Sequence, residues 1–456
     1  MPRFALHFIA LLLLSPALVA CGAGRETAPI GGSPRPGPVT IDLWHSETAA
    51  NLETLESMVA RFNASQDQVR VQPVYQGNEE EIMAKLVIAL PSRQVPAVLI
   101  LEKEVAQEMI DTGAVRPVQD FIDRDGYDLS DLDENALRCY TVGDKLRAVP
   151  FSMNIPLLYY NKVVFREAGL DAERPPQDLE ELRQYAEKIV RRDESGQVVR
   201  GGIAIDIRPW VERILAEHGD PLVDNDNGYK GRATRVLFNN DTGRWVFQWW
   251  DGMVEGGLAI NVGRNLNFVE GFLAMASGRA AMTFSYANAL RSVVDALEEG
   301  VEGVEIGVGR LPGVPGGTGA SHLLGRGLWV LSVRPEEEQE ASWKFVQWLI
   351  QPEQQTEWFA GSGNLPVSRS AIDLPAAQDV LARYPLFQTA LDLYRATPND
   401  VAALGALLGA YRDIYEVMLQ AEEEMVTGAK DPVRALEDAT NRSNQIIEEY
   451  NRQLGE

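Results

Sequence analysis

The sequence predicts an α/β fold of two lobes, and three observations support this prediction. Short apolar strands alternate with helical patterns over most of the chain. The 456 residues exceed the length that one hydrophobic core usually spans. Two segments are typical of crossings between lobes: residues 149–156, where a proline at either end favours an extended crossover over a central strand, and the strand end at residues 285–288.

Strands and helices are expected to alternate from residue 39 onward. Residues 39–43 alternate apolar and polar side chains, and apolar side chains then recur at helical spacing up to Phe62. Residues 69–75 and 95–101 are predicted strands, the second almost entirely apolar, as in a strand covered on both faces. Four further apolar runs continue the alternation and predict mostly parallel sheets: 157–160, 203–205, 281–284 and 328–332. Helices are expected from residue 336 to the end, including a long acidic amphipathic helix near residues 411–426.

The N-terminal segment is typical of an exported protein. Residues 1–20 carry a single basic residue, Arg3, before an apolar run, which predicts a signal peptide. The sequence LVAC that ends at Cys21 resembles a bacterial lipobox, in which this cysteine is acylated; an ordinary secretory signal with a chance cysteine is the alternative. Residues 21–38 are rich in Gly and Pro and predict a flexible tether. We therefore expect a lipid-anchored protein at the outer face of the cytoplasmic membrane, or a periplasmic one.

The charge balance excludes binding of polyanions as the main activity. Forty-two Lys and Arg against 66 Asp and Glu give a formal net charge of −24. Nucleic-acid binders need a basic face, because neutralising phosphates supplies most of their affinity. We expect no nucleic-acid partner, and contact with the membrane only through the lipid anchor.

Enzyme and metal-site motifs are missing from the sequence. The four histidines are scattered, without an HExxH motif, and only Cys139 remains besides Cys21. The sequence DNDNG at residues 224–228 resembles a calcium loop, but its glycine comes one position early and Arg235 stands where a glutamate is needed. An Asn-Gly turn is expected there instead. We therefore expect no enzymatic activity, no cofactor and no metal.

Trp210 is the aromatic residue with the clearest possible role in binding. It follows Asp206 and Arg208 directly after an apolar strand, where a loop at a carboxyl strand end would face a cleft. An exposed indole there would offer a flat plate for a sugar ring or a cation, with Asp206 and Arg208 as hydrogen-bonding neighbours. Burial in the core is the equally weighted alternative.

Short stretches spread over nearly the whole body carry a family resemblance: LWHS at 43–46, RFNA at 61–64, YQGN at 75–78, LYYNK at 158–162, EAGLD at 167–171, LWV at 328–330, FVQWL at 345–349 and NLP at 364–366. In this order they resemble the family 1 extracellular solute-binding proteins of ABC importers, and most of all the glycerol-3-phosphate-binding members. The resemblance implies the two-lobed periplasmic-binding-protein type II fold with a three-segment hinge. It also implies a monomer that binds a small solute and docks on the transmembrane subunits of an ABC permease.

The same resemblance implies where the lobes lie along the chain. Lobe 1 is predicted to comprise residues 39–152 and 287–333, and lobe 2 residues 153–286 and 334–456.

The resemblance also implies a set of cleft residues, most of which differ from those of the glycerol-phosphate binders. Trp210 keeps the family's platform and Gly325 a backbone contact, whereas Glu79 stands in place of a tyrosine. The family's glutamate falls on or beside Lys103, and its phosphate-binding arginine falls on Leu407, which Arg412, Arg208 or Arg326 could replace. The predicted ligand contacts are Glu79, Glu102, Asn154, Trp210, Tyr286, Gly325, Arg326 and Asn364.

These changes favour a neutral polyhydroxylated ligand. An ionised Glu79 about 4 Å from a phosphate would cost on the order of 4 kcal/mol per unit charge at an effective dielectric of about 20. Carboxylate and amide oxygens accept from hydroxyl groups instead, so a sugar or small oligosaccharide is predicted. The alternative is glycerol 3-phosphate or a glycerophosphodiester such as glycerophosphocholine, whose cationic head Glu79 and Trp210 would favour.

Two other classes of function remain open. A secreted hydrolase would use paired carboxylates, but no motif places two of them in a defined frame. A structural or adhesive surface protein would be expected to show repeats or β-rich modules, and the sequence shows neither.

Overall fold

The chain is described by a computed structural model over residues 37–264, 269–298 and 300–455. The strands in these ranges are β1 (Val39–His45), β2 (Val69–Tyr75), β3 (Val98–Glu102), β4 (Val115–Arg116), β5 (Thr141–Val142), β6 (Lys145–Leu146), β7 (Val149–Asn154), β8 (Pro156–Asn161), β9 (Arg191–Arg192), β10 (Val198–Ile207), β11 (Ala259–Arg264), β12 (Ala280–Tyr286), β13 (Ile306–Arg310), β14 (Leu324–Leu331) and β15 (Leu365–Pro366).

The helices in the same ranges are α1 (Ala49–Ser65), α2 (Glu79–Ala89), α3 (Ala106–Asp111), α4 (Gln119–Asp125), α5 (Glu134–Cys139), α6 (Lys162–Glu167), α7 (Leu179–Ile189), α8 (Trp210–His218), α9 (Asp224–Asn227), α10 (Asp241–Glu255), α11 (Glu270–Ala276), α12 (Leu290–Leu297), α13 (Glu336–Leu349), α14 (Pro352–Ser362), α15 (Pro375–Arg383), α16 (Leu386–Arg395), α17 (Tyr411–Val426) and α18 (Pro432–Gln453). None of these helices is long and apolar enough to cross a membrane. The predicted signal peptide, Cys21 and nearly all of the tether lie outside the described residues.

Two mixed sheets carry the fold. The first has the order β15-β7-β14-β3-β1-β2, with β4 on β14, and the second the order β11-β10-β12-β8-β13, with β9 on β10. The pairs of β1 with β2 and β3, and of β10 with β11 and β12, are parallel, while the other pairs in both sheets are antiparallel. The prediction of mostly parallel sheets was therefore wrong. The strand β8 follows β7 of the other sheet directly, and β14 follows β13 of the other sheet without a helix between them. Neither strand belongs to a βαβ unit, and both pair with antiparallel neighbours.

The first crossing is shorter than predicted. Residues 149–154 form β7, which pairs with both β14 and β15, so this segment is an inner strand and only Ile155 separates it from β8. Pro150 is tolerated because the register shifts between Arg326 and Gly327, opposite this proline. The second crossing meets the first, since Ala287 N donates to Ile155 O at 3.0 Å.

Two hydrophobic cores lie against these sheets. The first contains Leu99 and Trp329 from the first sheet, and the second contains Ile205 from the second sheet. Helices α13 to α16 supply side chains to the first core, whereas α17 and α18 belong to the second. This packing differs from the predicted assignment of all residues 334–456 to lobe 2. An amphipathic helix shows that one face is buried but does not show which sheet covers it.

Candidate functional site

Five polar residues gather at one edge of the first sheet. Ser46 and Glu47 follow β1, Glu79 begins the helix after β2, and Glu102 ends β3. Because these strands are parallel, their carboxyl ends meet at the same edge. Arg326 joins them from β14, where it stands opposite Glu102 in the antiparallel register. We call Ser46, Glu47, Glu79, Glu102 and Arg326 the acidic wall.

The local sequence sets the start of α2 at Glu79. Asn78 and Glu81 form a reciprocal cap: Asn78 Oδ1 accepts from Glu81 N at 2.9 Å, and Glu81 Oε2 accepts from Asn78 N at 3.0 Å. The glycine before this cap is required, because Gly77 has φ of 92° and a Cβ there would lie 1.6 Å from Glu81 Oε2. The YQGN stretch of the sequence therefore fixes the position of Glu79 at the first residue of α2.

Arg326 is the cation at the centre of the acidic wall. Its guanidinium donates to Glu47 and, at 3.2 Å, to Glu102 Oε1. The Glu47 side chain is 1% exposed, so this ion pair is shielded from solvent. Predicted contacts Glu79, Glu102 and Arg326 thus lie together.

Glu79 is buried, and only one of its two carboxyl oxygens has a hydrogen-bond partner among the described residues. Its Oε1 accepts from Ser46 Oγ at 2.7 Å, while its Oε2 has no hydrogen-bond partner among the described residues. Burial, followed by repulsion from Glu102, raises the pKa of Glu79 to about 8. The carboxyl is therefore mostly protonated at neutral pH. The electrostatic cost that we expected for a phosphate beside an ionised Glu79 does not apply in that state.

The aromatic pair Trp210 and Tyr286 lies at the carboxyl ends of β10 and β12 in the second sheet. The two rings stack at 5.8 Å between centroids and 23° between planes. The indole Nε1 donates to Asp206 Oδ1 at 2.9 Å, and Arg208 pairs with the same Asp206. Trp210 begins α8 and is 1% exposed, so of the two alternatives that the sequence left open, the structure has the buried indole. Its stacked partner Tyr286 covers one face of the ring.

Three further predicted contacts lie at the crossings. Asn154 Oδ1 accepts from Ile155 N at 3.0 Å and from Asn288 N at 3.2 Å, which ties the two crossing segments together. Gly325 pairs with Met153, and a Cβ there would lie 2.4 Å from Ser152 O, so close packing of β14 on β7 requires glycine. Asn364 is buried immediately before β15, the other neighbour of β7. These three residues therefore lie around one strand end.

A buried charged network was missed by sequence reasoning. Glu212 accepts from Arg213 Nη1 at 2.7 Å and from Tyr411 Oη at 2.6 Å, and its Oε1 lies 3.5 Å from His322 Nε2. Burial alone would raise the pKa of Glu212, but Arg213, His322 and Tyr411 lower it to about 2. One signal was available: the pair Glu212 and Arg213 interrupts an otherwise apolar helical run.

Lys103, Arg213 and His322 form what we call the basic cluster. Lys103 Nζ donates to Ala406 O at 3.2 Å and is buried. A Cβ on Gly405, whose φ is 70°, would lie 2.7 Å from His322 Nε2 and 3.0 Å from Lys103 Nζ. The absence of a side chain at Gly405 therefore lets these two basic groups converge.

The loop that carries Gly405 is held by the DNDNG segment. The backbone is left-handed at Asn225, Asp226 and Asn227, and Gly228 continues with φ of 86°. Asn227 O accepts from Leu407 N at 2.9 Å, and a Cβ on Gly228 would lie 2.0 Å from Leu407 O. The predicted turn therefore holds Leu407, the position onto which the family's phosphate-binding arginine falls. Leu407 itself is buried in the first core.

Glu104 interacts electrostatically with both the acidic wall and the basic cluster. Burial raises its pKa to about 7, with a further rise from Glu102 and an opposing effect of Arg213. Burial raises the pKa of Glu108 of α3, and the electrostatic interaction with Arg412 lowers it by a smaller amount. Within the described residues, no group of three or more His, Cys, Asp or Glu side chains could hold a metal ion.

The amino-acid sequence matches a known family. A family model described as bacterial extracellular solute-binding protein matches residues 57–389. The chain belongs to this family. It is a solute-binding protein of the kind that serves ABC importers, and the family works outside the cytoplasm, in the extracellular or periplasmic space.

Relatives and solved structures agree with this assignment. The chain is 28% identical over 420 residues to the sn-glycerol-3-phosphate-binding periplasmic protein UgpB of Escherichia coli K12, covering 90% of this chain and 93% of that protein. The solved structure of the sugar-binding protein MalE from Xanthomonas citri matches with a TM-score of 0.75 at 22% identity, over 92% of this chain and 100% of that one. UgpB from Mycobacterium tuberculosis, in complex with glycerophosphocholine, matches with a TM-score of 0.71 at 21% identity, over 93% and 100%. The predicted two-lobed type II fold is confirmed.

Proposed function

We propose that the protein captures a sugar or small oligosaccharide between its lobes and delivers it to the transmembrane subunits of an ABC permease. The acidic wall is the observation that carries this proposal. It presents carboxyl groups and one guanidinium at the carboxyl ends of parallel strands, where ligands of such folds bind. Carboxyl and guanidinium groups accept from and donate to the hydroxyl groups of a sugar.

The predicted contacts divide between the two sides of the proposed cleft. Glu79, Glu102, Gly325 and Arg326 would hydrogen-bond the ligand from lobe 1. Trp210 and Tyr286 would provide aromatic rings on the side of lobe 2, with the half-buried Tyr286 stacked on the buried Trp210. Asn154 and Asn364 would contact the ligand near the crossings.

The mechanism is closure without chemistry on the ligand. A ligand that contacts both lobes favours the closed form by its differential contacts, and the closed form then docks on the permease. The two crossings, joined by the bond from Ala287 to Ile155, are the natural place for the rotation. We propose no enzymatic step, in keeping with the transport role of the relatives.

A glycerophosphodiester is the second candidate, and the basic cluster favours it. Lys103 and Arg213 are both buried, and with Lys103 protonated and Glu104 neutral they would carry one positive charge more than Glu212 balances. Burial lowers the pKa of Lys103, and a bound anion would favour its protonated form. A single phosphate charge would compensate that excess. The neutral form of Glu79 removes the repulsion that argued against this ligand. UgpB of Mycobacterium tuberculosis binds such a compound.

We also propose how the protein is attached to the membrane and how the chain divides into lobes. The mature protein would be a monomer held at the outer face of the cytoplasmic membrane by acylation of Cys21. Lobe 1 would comprise 39–152 and 287–333 without β13, together with α13 to α16, and lobe 2 would comprise 153–286 with β13, α17 and α18. The strand β13 pairs with β8 of the second sheet, which departs from the predicted range of lobe 1. Labelling with a radioactive fatty acid, lost in Cys21→Ser, tests the anchor.

A ligand panel tests the proposed function. Mono- and oligosaccharides, glycerol 3-phosphate and glycerophosphocholine are screened for a rise in melting temperature, and each hit is measured by calorimetry. A ligand at about a hundred times its dissociation constant adds roughly 2.7 kcal/mol to stability, which such a screen detects. Stabilisation by sugars supports the first candidate, and stabilisation by glycerophosphocholine alone supports the second. Turnover of any of these compounds would contradict a pure binding function.

A further inference from the structure

We propose that the acidic wall is a subsite for a protonated amine, so that the preferred ligand is an amino sugar or a similar polyhydroxylated amine. This inference rests on the proposed function and narrows its ligand class. It concerns Glu79 and Glu102 as residues that set specificity. The argument has three steps: the charge of the wall, the unpartnered oxygen of Glu79 and the nature of the missing cation.

The acidic wall has more carboxyl groups than its cation can pair. Glu47, Glu79 and Glu102 surround one guanidinium, and Arg326 donates to Glu47 and Glu102. Arg326 lowers the pKa of Glu79 only through space, and the side chain that hydrogen-bonds Glu79 is the neutral Ser46. Three ionised carboxylates and one guanidinium would leave two negative charges in excess.

The structure points to the place where a cation is missing. Glu79 is 9% exposed, and its Oε2 has no partner among the described residues. A buried carboxyl oxygen without a partner costs free energy, and in the ligand-free protein a proton on Glu79 relieves the charge. An ammonium group would replace that proton, because it donates up to three hydrogen bonds and carries the compensating charge.

An organic cation fits this subsite better than a metal ion. In the ranges that the structure describes, no group of three or more metal-ligating side chains is close enough to hold a metal. The titratable and charged groups around the subsite come from four elements. His45 ends β1 and Glu47 follows it, Glu102 ends β3, and Arg326 belongs to β14. Glu56 of α1 interacts with His45. Burial lowers the pKa of His45, so this imidazole does not supply the missing charge at neutral pH.

The test compares sugars that carry an amine, an acetamide or a hydroxyl group at the same ring position. Glucosamine, N-acetylglucosamine and glucose, and the β-1,4-linked dimers of each, are measured against the purified mature protein by calorimetry. We expect the amines to bind at least about tenfold more tightly than their neutral counterparts, a difference of about 1.4 kcal/mol. Repeating the titration in two buffers of different ionisation enthalpy should show a proton released from the protein as the amine binds.

Variants assign the preference to the acidic wall. Glu79→Gln should abolish the proton release and bring the affinities for amines and for neutral sugars to the same value, and Glu102→Gln should reduce the preference for amines independently. Glu80→Gln, at the exposed neighbouring position, is the matched control and should behave like the wild type. Melting curves of each variant verify folding.

Each outcome decides the proposal. Equal affinity for amines and neutral sugars, or a preference that survives in both Gln variants, overturns the amine subsite but leaves the proposed sugar-binding function intact. Binding of none of these sugars, with glycerophosphocholine bound instead, overturns the sugar-binding function and the amine subsite with it.

Discussion

Asp111 and Arg232 join the two cores through a two-bond ion pair. Arg232 Nη2 and Nη1 donate to Asp111 Oδ1 and Oδ2 at 2.7 and 2.9 Å, and Tyr450 Oη donates to the same carboxylate at 2.9 Å. Asp111 ends α3, whose Met109 lies in the first core, whereas Ala233 next to Arg232 lies in the second. The pair therefore stabilises the arrangement in which the lobes contact each other.

Asp111→Asn should weaken that arrangement. Hydrogen bonds to charged groups contribute about 1.5–3 kcal/mol each, so we expect the free energy of unfolding to fall by roughly 2 kcal/mol and the ligand affinity to fall several-fold. Urea denaturation and calorimetry measure the two effects. Asp120→Asn, which breaks the exposed pair with Lys145, is the control and should cost less than about 1 kcal/mol. Equal losses in both variants would show that the pair does not stabilise the contact between lobes.

Arg326→Gln should destabilise the protein strongly. The substitution leaves Glu47 buried without its cation, and breaking a buried pair from one side typically costs about 3–5 kcal/mol. Chemical denaturation gives the loss. Arg166→Gln, which breaks the exposed pair with Glu305, serves as the comparison, and its cost should stay below about 1 kcal/mol. A loss for Arg326→Gln as small as that of the control would argue against a buried, paired Arg326.

Glu79 should make stability depend on pH. Its pKa is raised from 4.5 to about 8 by burial, so the folded state binds the proton more tightly than the unfolded chain. The contribution of this proton is fully present below the unfolded value and is lost as the pH rises toward 8. Between these two pKa values, the free energy of unfolding of the wild type should fall by up to about 1.4 kcal/mol per pH unit relative to that of Glu79→Gln. Unfolding curves of both proteins at a series of pH values measure the difference, and parallel pH profiles would contradict the raised pKa.

Trp210→Phe should impair both folding and ligand binding. The phenyl ring can still stack on Tyr286, but the hydrogen bond from the indole to Asp206 is lost and a small cavity remains, at a cost of about 1–3 kcal/mol. We expect the ligand affinity to fall at least about tenfold. Trp245→Phe, at a half-buried tryptophan that stacks on Trp249, should leave the affinity unchanged. If both variants bind equally well, Trp210 has no place in the ligand site.

The sequence predicted the elements better than their arrangement. The strand that ends at Glu102 and the helix beginning at Tyr411 follow from local patterns, because alternation and helical spacing are properties of neighbouring residues. The antiparallel neighbours of β8 and the packing of α13 on the first sheet depend on distant partners, which local patterns do not contain. The same limit applies to the site. Lys103 and His322 are 219 positions apart and meet only because Gly405 leaves room for them.

The central claim is that the cleft binds a sugar through the acidic wall, and calorimetric titration with a panel of sugars tests it most directly. The wild-type protein should bind at least one sugar with a stoichiometry of one, and Arg326→Gln, if it folds, or otherwise Glu102→Gln, should lose about tenfold or more in affinity. Retained wild-type affinity in the folded variants, or binding confined to glycerophosphocholine, would contradict the claim.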